Sequence, residues 1–191
     1  MKRIARFALF GAVGFGIGGL FPQAATLFAF AIGWEQTNWQ AWQAWVIVCA
    51  VLVFGFAAKG ALGGTALGLA LRRGRRMTAA LALWGSIGFL AGGFLFAFLV
   101  PGGMFGRVAL GIDLLGGALG GAALGLALKD KRKIIGLALA GALGFLIGSM
   151  IATYLHYWLG FGFLPTVIIF FLQGIIGGAS LGAALGYLEK R

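Results

Sequence analysis

Thirteen of the fifteen Lys and Arg residues in this 191-residue chain stand in four short clusters. These are Lys2, Arg3 and Arg6; Arg72, Arg73, Arg75 and Arg76; Lys129, Lys131, Arg132 and Lys133; and Lys190 with Arg191. The stretches between them run 52 to 65 residues and are mostly apolar. A helix needs about 20 apolar residues to cross a hydrocarbon core about 30 Å thick. Each stretch therefore has the length of one helix out and one back, and three stretches predict six spans. Their expected extents are Ile4–Ile32 (with Pro22 inside, a kink), Ala44–Leu71, Met77–Leu99, Val108–Leu128, Ile134–Trp158 and Thr166–Leu185.

Positive charge is retained on the cytoplasmic side of a membrane. An even number of spans between clusters puts all four there, with both termini. The opposite turns agree: residues 33–43 and 159–165 carry no Lys or Arg, and 100–107 only Arg107. The chain thus reads as an integral protein of a bacterial-type plasma (inner) membrane, its partners the bilayer and the anionic headgroups at the cytoplasmic face. The net charge of +11 is accounted for by these orientation signals, so a nucleic-acid partner is not expected. Residues 1–21 have a basic start, an apolar middle and small residues, as a cleaved leader does. The same pattern recurs twice downstream, so a retained span is the better reading.

Composition closes the alternatives. Only 10% of residues are charged against about 25% in a soluble domain, too few to cover a water-facing surface. The apolar share of 61% excludes disorder, and a single cysteine, Cys49, excludes a disulfide framework. With 36 glycines the chain has nearly triple the usual share of about 7%, yet three prolines and no Gly-X-Y period exclude collagen.

The glycines are ordered by repeats. Gly-Gly-x-x-Leu-Gly-x-Ala-Leu occurs at Gly63–Leu71, Gly120–Leu128 and Gly177–Leu185, 57 residues apart each time, at the inner end of each returning helix. The outgoing helices carry Gly-x-x-Gly-Phe-x-x-Gly: Gly11, Gly14, Phe15, Gly18; Gly85, Gly88, Phe89, Gly92; and Gly141, Gly144, Phe145, Gly148. These offsets are 74 and 56, so the first copy holds extra residues, which correspond to the Trp- and Gln-rich stretch Trp34–Trp45. One membrane domain, 1–191, then comprises three tandem helical hairpins, 1–74, 75–131 and 132–191, that enter the bilayer in the same sense. Parallel repeats relate by rotation about the membrane normal, and a pseudo-threefold arrangement is the simplest closed form.

In lipid a helix keeps its hydrogen bonds despite glycines, and glycine stripes let helices approach closely. Gly11, Gly14 and Gly18 and their counterparts are expected to pack in this way. So are Gly63, Gly64 and Gly68; Gly120, Gly121 and Gly125; and Gly177, Gly178 and Gly182. The fragment Gly14-Phe-Gly16-Ile-Gly18-Gly19 also fits a dinucleotide-binding pattern, but no strand precedes it, so it reads as packing.

Ionisable groups within spans are few. Lys59 lies thirteen residues before Arg72, about 20 Å by helical rise, and Asp113 sixteen before Lys129, about 24 Å. The repeat makes Lys59, Gly116 and Gln173 equivalent positions, with Asp113 nearly one turn further out. Each charge alone costs roughly 2.5–3.5 kcal/mol near the bilayer centre. If the returning helices surround the axis, Lys59 and Asp113 meet across it with Gln173 alongside. Otherwise Asp113 sits at a solvated outer edge and Lys59 snorkels. His156, Tyr154, Tyr157 and Trp158 read as an interfacial belt, and Trp34–Trp45 as an amphipathic outer segment on the membrane surface or against a partner. Cys49 fills apolar space, and Thr65, Ser86, Ser149 and Ser180 can bond to their own preceding turn.

No nucleophile–base pair, acid pair or metal-ligand cluster emerges, so neither enzyme activity nor a cofactor is expected. Two classes remain. The first is a packing or assembly component, its glycine stripes joining its own hairpins, a homo-oligomer or a larger membrane complex. The alternative is a channel or transporter for a small solute or ion, with Lys59, Asp113 and Gln173 at its polar site.

Overall fold

The computed structural model describes residues 2–31, 41–99, 107–159 and 163–190. They form six helices: α1 (Lys2–Ala31), α2 (Ala41–Leu71), α3 (Arg75–Leu99), α4 (Arg107–Ala127), α5 (Lys131–Leu159) and α6 (Phe163–Leu188). Helix α1 continues through Pro22. By length and composition five of the helices can cross a membrane, whereas α4 has a shorter apolar stretch, Asp113–Ala127, among the described residues. Most of the first two expected outer turns, residues 160–162 of the third, and most of the Trp34–Trp45 segment with Glu35 lie outside the described residues.

Each helix packs against its chain neighbours, and α6 returns to α1, closing a ring. Neighbours run antiparallel, so the four basic clusters gather at one end, the basic end. Two short turns at this end have the same form. Arg72 and Lys129, 57 residues apart, both terminate a helix with positive φ, 56° and 54°, a role more usually taken by glycine. After the second turn, Asp130 Oδ1 accepts the Arg132 N–H at 2.9 Å and caps α5.

Within each antiparallel pair the register is the same. Gly14 faces Ala66 and Gly63, Gly88 faces Ala123 and Gly120, and Gly144 faces Ser180 and Gly177. One turn further out Gly18 meets Lys59, Gly92 meets Gly116, and Gly148 meets Gln173. A Cβ at any of these six positions would crowd its neighbour. Between pairs, Gly60, Gly64 and Gly68 of α2 meet Gly85, Leu81 and Thr78 of α3. Helix α4 repeats this on α5: Gly117, Gly121 and Gly125 meet Gly141, Leu137 and Ile134. At the closing junction Gly174, Gly178 and Gly182 of α6 meet Phe15, Gly11 and Phe7 of α1. That pairing is four residues, one helical turn, away from the other two.

The core lies inside the ring, with a layer of apolar side chains toward the basic end. Leu67, Leu124, Leu181, Phe7, Leu81, Leu137 and Leu185 are all fully buried there. The outward faces carry bulky apolar side chains, among them Leu9, Phe54, Leu83, Ile135 and Leu139, all exposed. So much exposed apolar surface suits lipid and not water.

Candidate functional site

The apolar core ends at three phenylalanines, one from each outgoing helix. Phe15 and Phe89 have ring centroids 5.1 Å apart, Phe89 and Phe145 5.2 Å, and Phe15 and Phe145 5.9 Å. They are the same position in the three copies of Gly-x-x-Gly-Phe-x-x-Gly. Each ring lies against a glycine of the following helix: Phe15 on Gly63, Phe89 on Gly120 and Phe145 on Gly177. Any side chain at those glycines would push the rings apart. The tilted and edge-to-face contacts are those that aromatic quadrupoles favour.

On the side away from the basic end, this aromatic floor carries a cluster of buried polar residues. Lys59 of α2 is 2% exposed, and its Nζ stands 4.5 Å from the Phe145 ring centroid and 5.9 Å from that of Phe56. Both are distances at which a ring face attracts an ammonium. Asp113 of α4 is half-buried and accepts a hydrogen bond from Ser149 Oγ of α5. Ser149 Oγ in turn accepts one from Gln173 Nε2 of α6 at 2.6 Å. Lys59 and Asp113 both line a cavity of about 10 Å³ that is also walled by Phe56, Phe89 and Phe145. That is about the space of one water molecule.

The structure thus places Lys59, Asp113 and Gln173 in one region, but in a different arrangement from direct contact across an axis. Asp113 and Gln173 are joined through Ser149. Lys59 faces the cavity on a bed of rings, and no Lys59–Asp113 ion pair within 4.0 Å occurs among the described residues.

Ser149 is the residue that sequence reasoning missed. It is buried and spends its hydroxyl on two other helices, not on its own turn. Ser86 and Ser180 likewise reach across, to the carbonyls of Ala57 and Ala140, and only Thr65 bonds back within its helix, to Ala61. A signal for Ser149 did exist. The repeat aligns it with Gly19 and Gly93, just as it aligns Gln173 with Lys59 and Gly116, and Asp113 with Phe56 and Phe170. The polar site is built where the three copies disagree.

A second missed residue sits at the basic end. The Glu189 side chain is 4% exposed, and it holds Arg73 at 2.8 Å, Arg3 at 3.6 Å and the Lys133 ammonium. It therefore ties the C-terminal end of α6 to three of the four basic clusters. At the far end of α5, Tyr154, Tyr157 and Trp158 are exposed and in mutual ring contact through Trp158. His156 there lies 3.3 Å from Thr166 Oγ1. Among the described residues no three His, Cys, Asp or Glu side chains are grouped as a metal site would require. No protein-family model matches the chain, and neither a curated protein nor a solved structure matches it.

Proposed function

We propose that this chain is a non-enzymatic, six-span membrane protein whose glycines knit its own three hairpins together, and that it is a channel or transporter for a small solute or ion, closed in this conformation at the aromatic floor. The basic end faces the cytoplasm in this reading, with both termini, and the membrane is a plasma membrane of bacterial type.

Two observations favour pseudo-threefold hairpins: the common register within the three antiparallel pairs, and the convergence of Phe15, Phe89 and Phe145. The symmetry is a screw, not a pure rotation. Two junctions share one register and the third differs by four residues, about 6 Å at 1.5 Å per residue, or about 2 Å per hairpin. Such an offset closes the ring while leaving each hairpin internally unchanged.

The use of the glycines separates the two functional classes. An assembly component that docks copies or partners through glycine stripes needs a bare stripe facing lipid. Here the glycines of all three repeats lie against helices of the same chain, and bulky apolar side chains face outward. The stripes therefore join the chain to itself, and function falls to the polar pocket.

The observation that carries the reading is the position of that pocket. Lys59, Asp113, Ser149 and Gln173 come from four different helices. They break the repeat at membrane depth and adjoin a three-residue constriction made of strictly repeated residues. A stability device would have no need of such a place, whereas a solute path requires a polar site near the axis. The site has few polar groups, four side chains in all, which suits an ion or a small solute better than a sugar or an amino acid.

The test is flux through reconstituted protein. Vesicles containing it should pass protons, a small halide or a small neutral solute faster than protein-free vesicles. Lys59→Met should change that flux and Lys129→Met should leave it unaltered. Absence of flux for all three probes in wild type and in a variant with the floor opened would overturn the proposal.

A further inference from the structure

We propose that the groove between α2 and α3 at the basic end is a binding site for one anionic phospholipid, its phosphate held by Arg72 and Arg75 and an acyl chain lying along Leu69, Ala79 and Ala82. The groove has a volume of about 570 Å³, with Gly68 and Thr78 in its lining. Helices α2 and α3 touch at those two residues, where a Cβ on Gly68 would stand 2.6 Å from the Thr78 Cα. From that floor the groove opens outward, with apolar walls below and arginines at its mouth. The Thr65 and Thr78 hydroxyls are spent on the Ala61 and Gly74 carbonyls, so the walls present little free polarity to a chain of methylenes.

The charge at the mouth identifies the occupant. Arg73 is paired with Glu189. Arg72, Arg75 and Arg76 are exposed and have no acidic partner among the described residues. Every described acid is committed elsewhere: Asp113 to Ser149, Asp130 to Arg132 and Lys133, Glu189 to Arg3, Arg73 and Lys133.

The matching turn between α4 and α5 shows what compensation from within the chain looks like. There Asp130 caps the helix and stands 3.7 Å from Lys133. The α2–α3 turn has Gly74 and no acid, so its counter-charge must come from outside. In a bilayer, the anion that also fits an apolar groove is a phospholipid headgroup. A neighbouring basic side chain strengthens such binding several-fold, and two together do so by more than about tenfold. The site is independent of whether the chain conducts anything.

Native mass spectrometry of the purified full-length protein, released from micelles containing equal phosphatidylglycerol and phosphatidylcholine, tests it. The wild type should retain one phosphatidylglycerol in preference to phosphatidylcholine. The double variant Arg72→Gln with Arg75→Gln should lose that preference at least about tenfold. The charge-matched control Lys129→Gln with Lys131→Gln should keep it, and Ala79→Trp, which fills the groove without touching the arginines, should displace the lipid. Soluble glycerol phosphate should not compete, since it lacks the chain that the groove takes up. Equal losses in the two double variants, or no preference for the anionic lipid in the wild type, would overturn the assignment.

Discussion

Replacing Phe89 by alanine probes both the packing and the proposed function. The ring is 3% exposed, in contact with Phe15 and Phe145, and it walls the small cavity beside Lys59. In water most of the loss would be a transfer term. In a bilayer the separated helices face lipid tails as apolar as the core, so that term is small and packing dominates. Removing the ring opens roughly 100 Å³, which at about 24 cal/mol per Å³ costs about 2.4 kcal/mol. Two aromatic contacts at about 0.5–1.5 kcal/mol each add about 1–3 kcal/mol. The expected destabilisation is therefore about 3–5 kcal/mol, read as a shift in unfolding of the bundle in mixed micelles. Leu83→Ala on the same helix removes a lipid-facing side chain and should change stability by less than about 0.5 kcal/mol. The same Phe89 variant should leak small ions from reconstituted vesicles, because the constriction then consists of two rings instead of three. A Phe89→Ala protein no less stable than Leu83→Ala, and as tight to ions as wild type, would refute the reasoning.

Other substitutions test separate parts of the account. Gly60→Ala pushes a methyl into the Gly85 carbonyl and should cost about 1–3 kcal/mol in the same unfolding assay, whereas Gly111→Ala, with nothing within 4 Å, should be neutral. Lys59→Met alone should destabilise more than Lys59→Met combined with Asp113→Leu, since the single change leaves a carboxylate facing an apolar cavity. A double-mutant cycle that adds to within about 0.5 kcal/mol would separate the two residues. Glu189→Gln should cost about 1.5–3 kcal/mol by loosening charged hydrogen bonds at the basic end, an effect seen as earlier proteolysis of the terminal residues of α6.

The six helices, five of them long and apolar enough to cross a membrane, were readable from the sequence because coarse quantities govern them. Basic clusters and the apolar lengths between them specify helices that end where charge begins. Helix α2 accordingly ends at Leu71 as expected, and α6 extends only three residues past each expected bound. The polar region was readable in part, because Lys59, Asp113 and Gln173 are costly in a span wherever they point.

What could not be read were the directions of individual side chains. A serine in a membrane helix can satisfy itself locally, so nothing intrinsic to Ser149 distinguishes it from Thr65, which does bond to its own turn. Glu189 stands beside Lys190 and Arg191 in the sequence, and only the packing of α6 beside α1 and α5 makes it a shared counter-ion. The register change at the α6–α1 junction has no trace in the spacing of the repeated motifs, because ring closure is a property of the assembled helices.

Convergence of the three outgoing helices on one axis is the premise for the aromatic floor and for everything placed above it. Its most direct measurement is cross-linking in a Cys49→Ala background, since Cys49 is the chain's one cysteine. Phe15→Cys paired with Phe89→Cys should be bridged efficiently by a two-carbon bis-methanethiosulfonate, although α1 and α3 are not adjacent in the ring. The lipid-facing pair Val13→Cys with Leu83→Cys should not be bridged. Failure of the first pair to react, or equal reaction of both, would contradict the account.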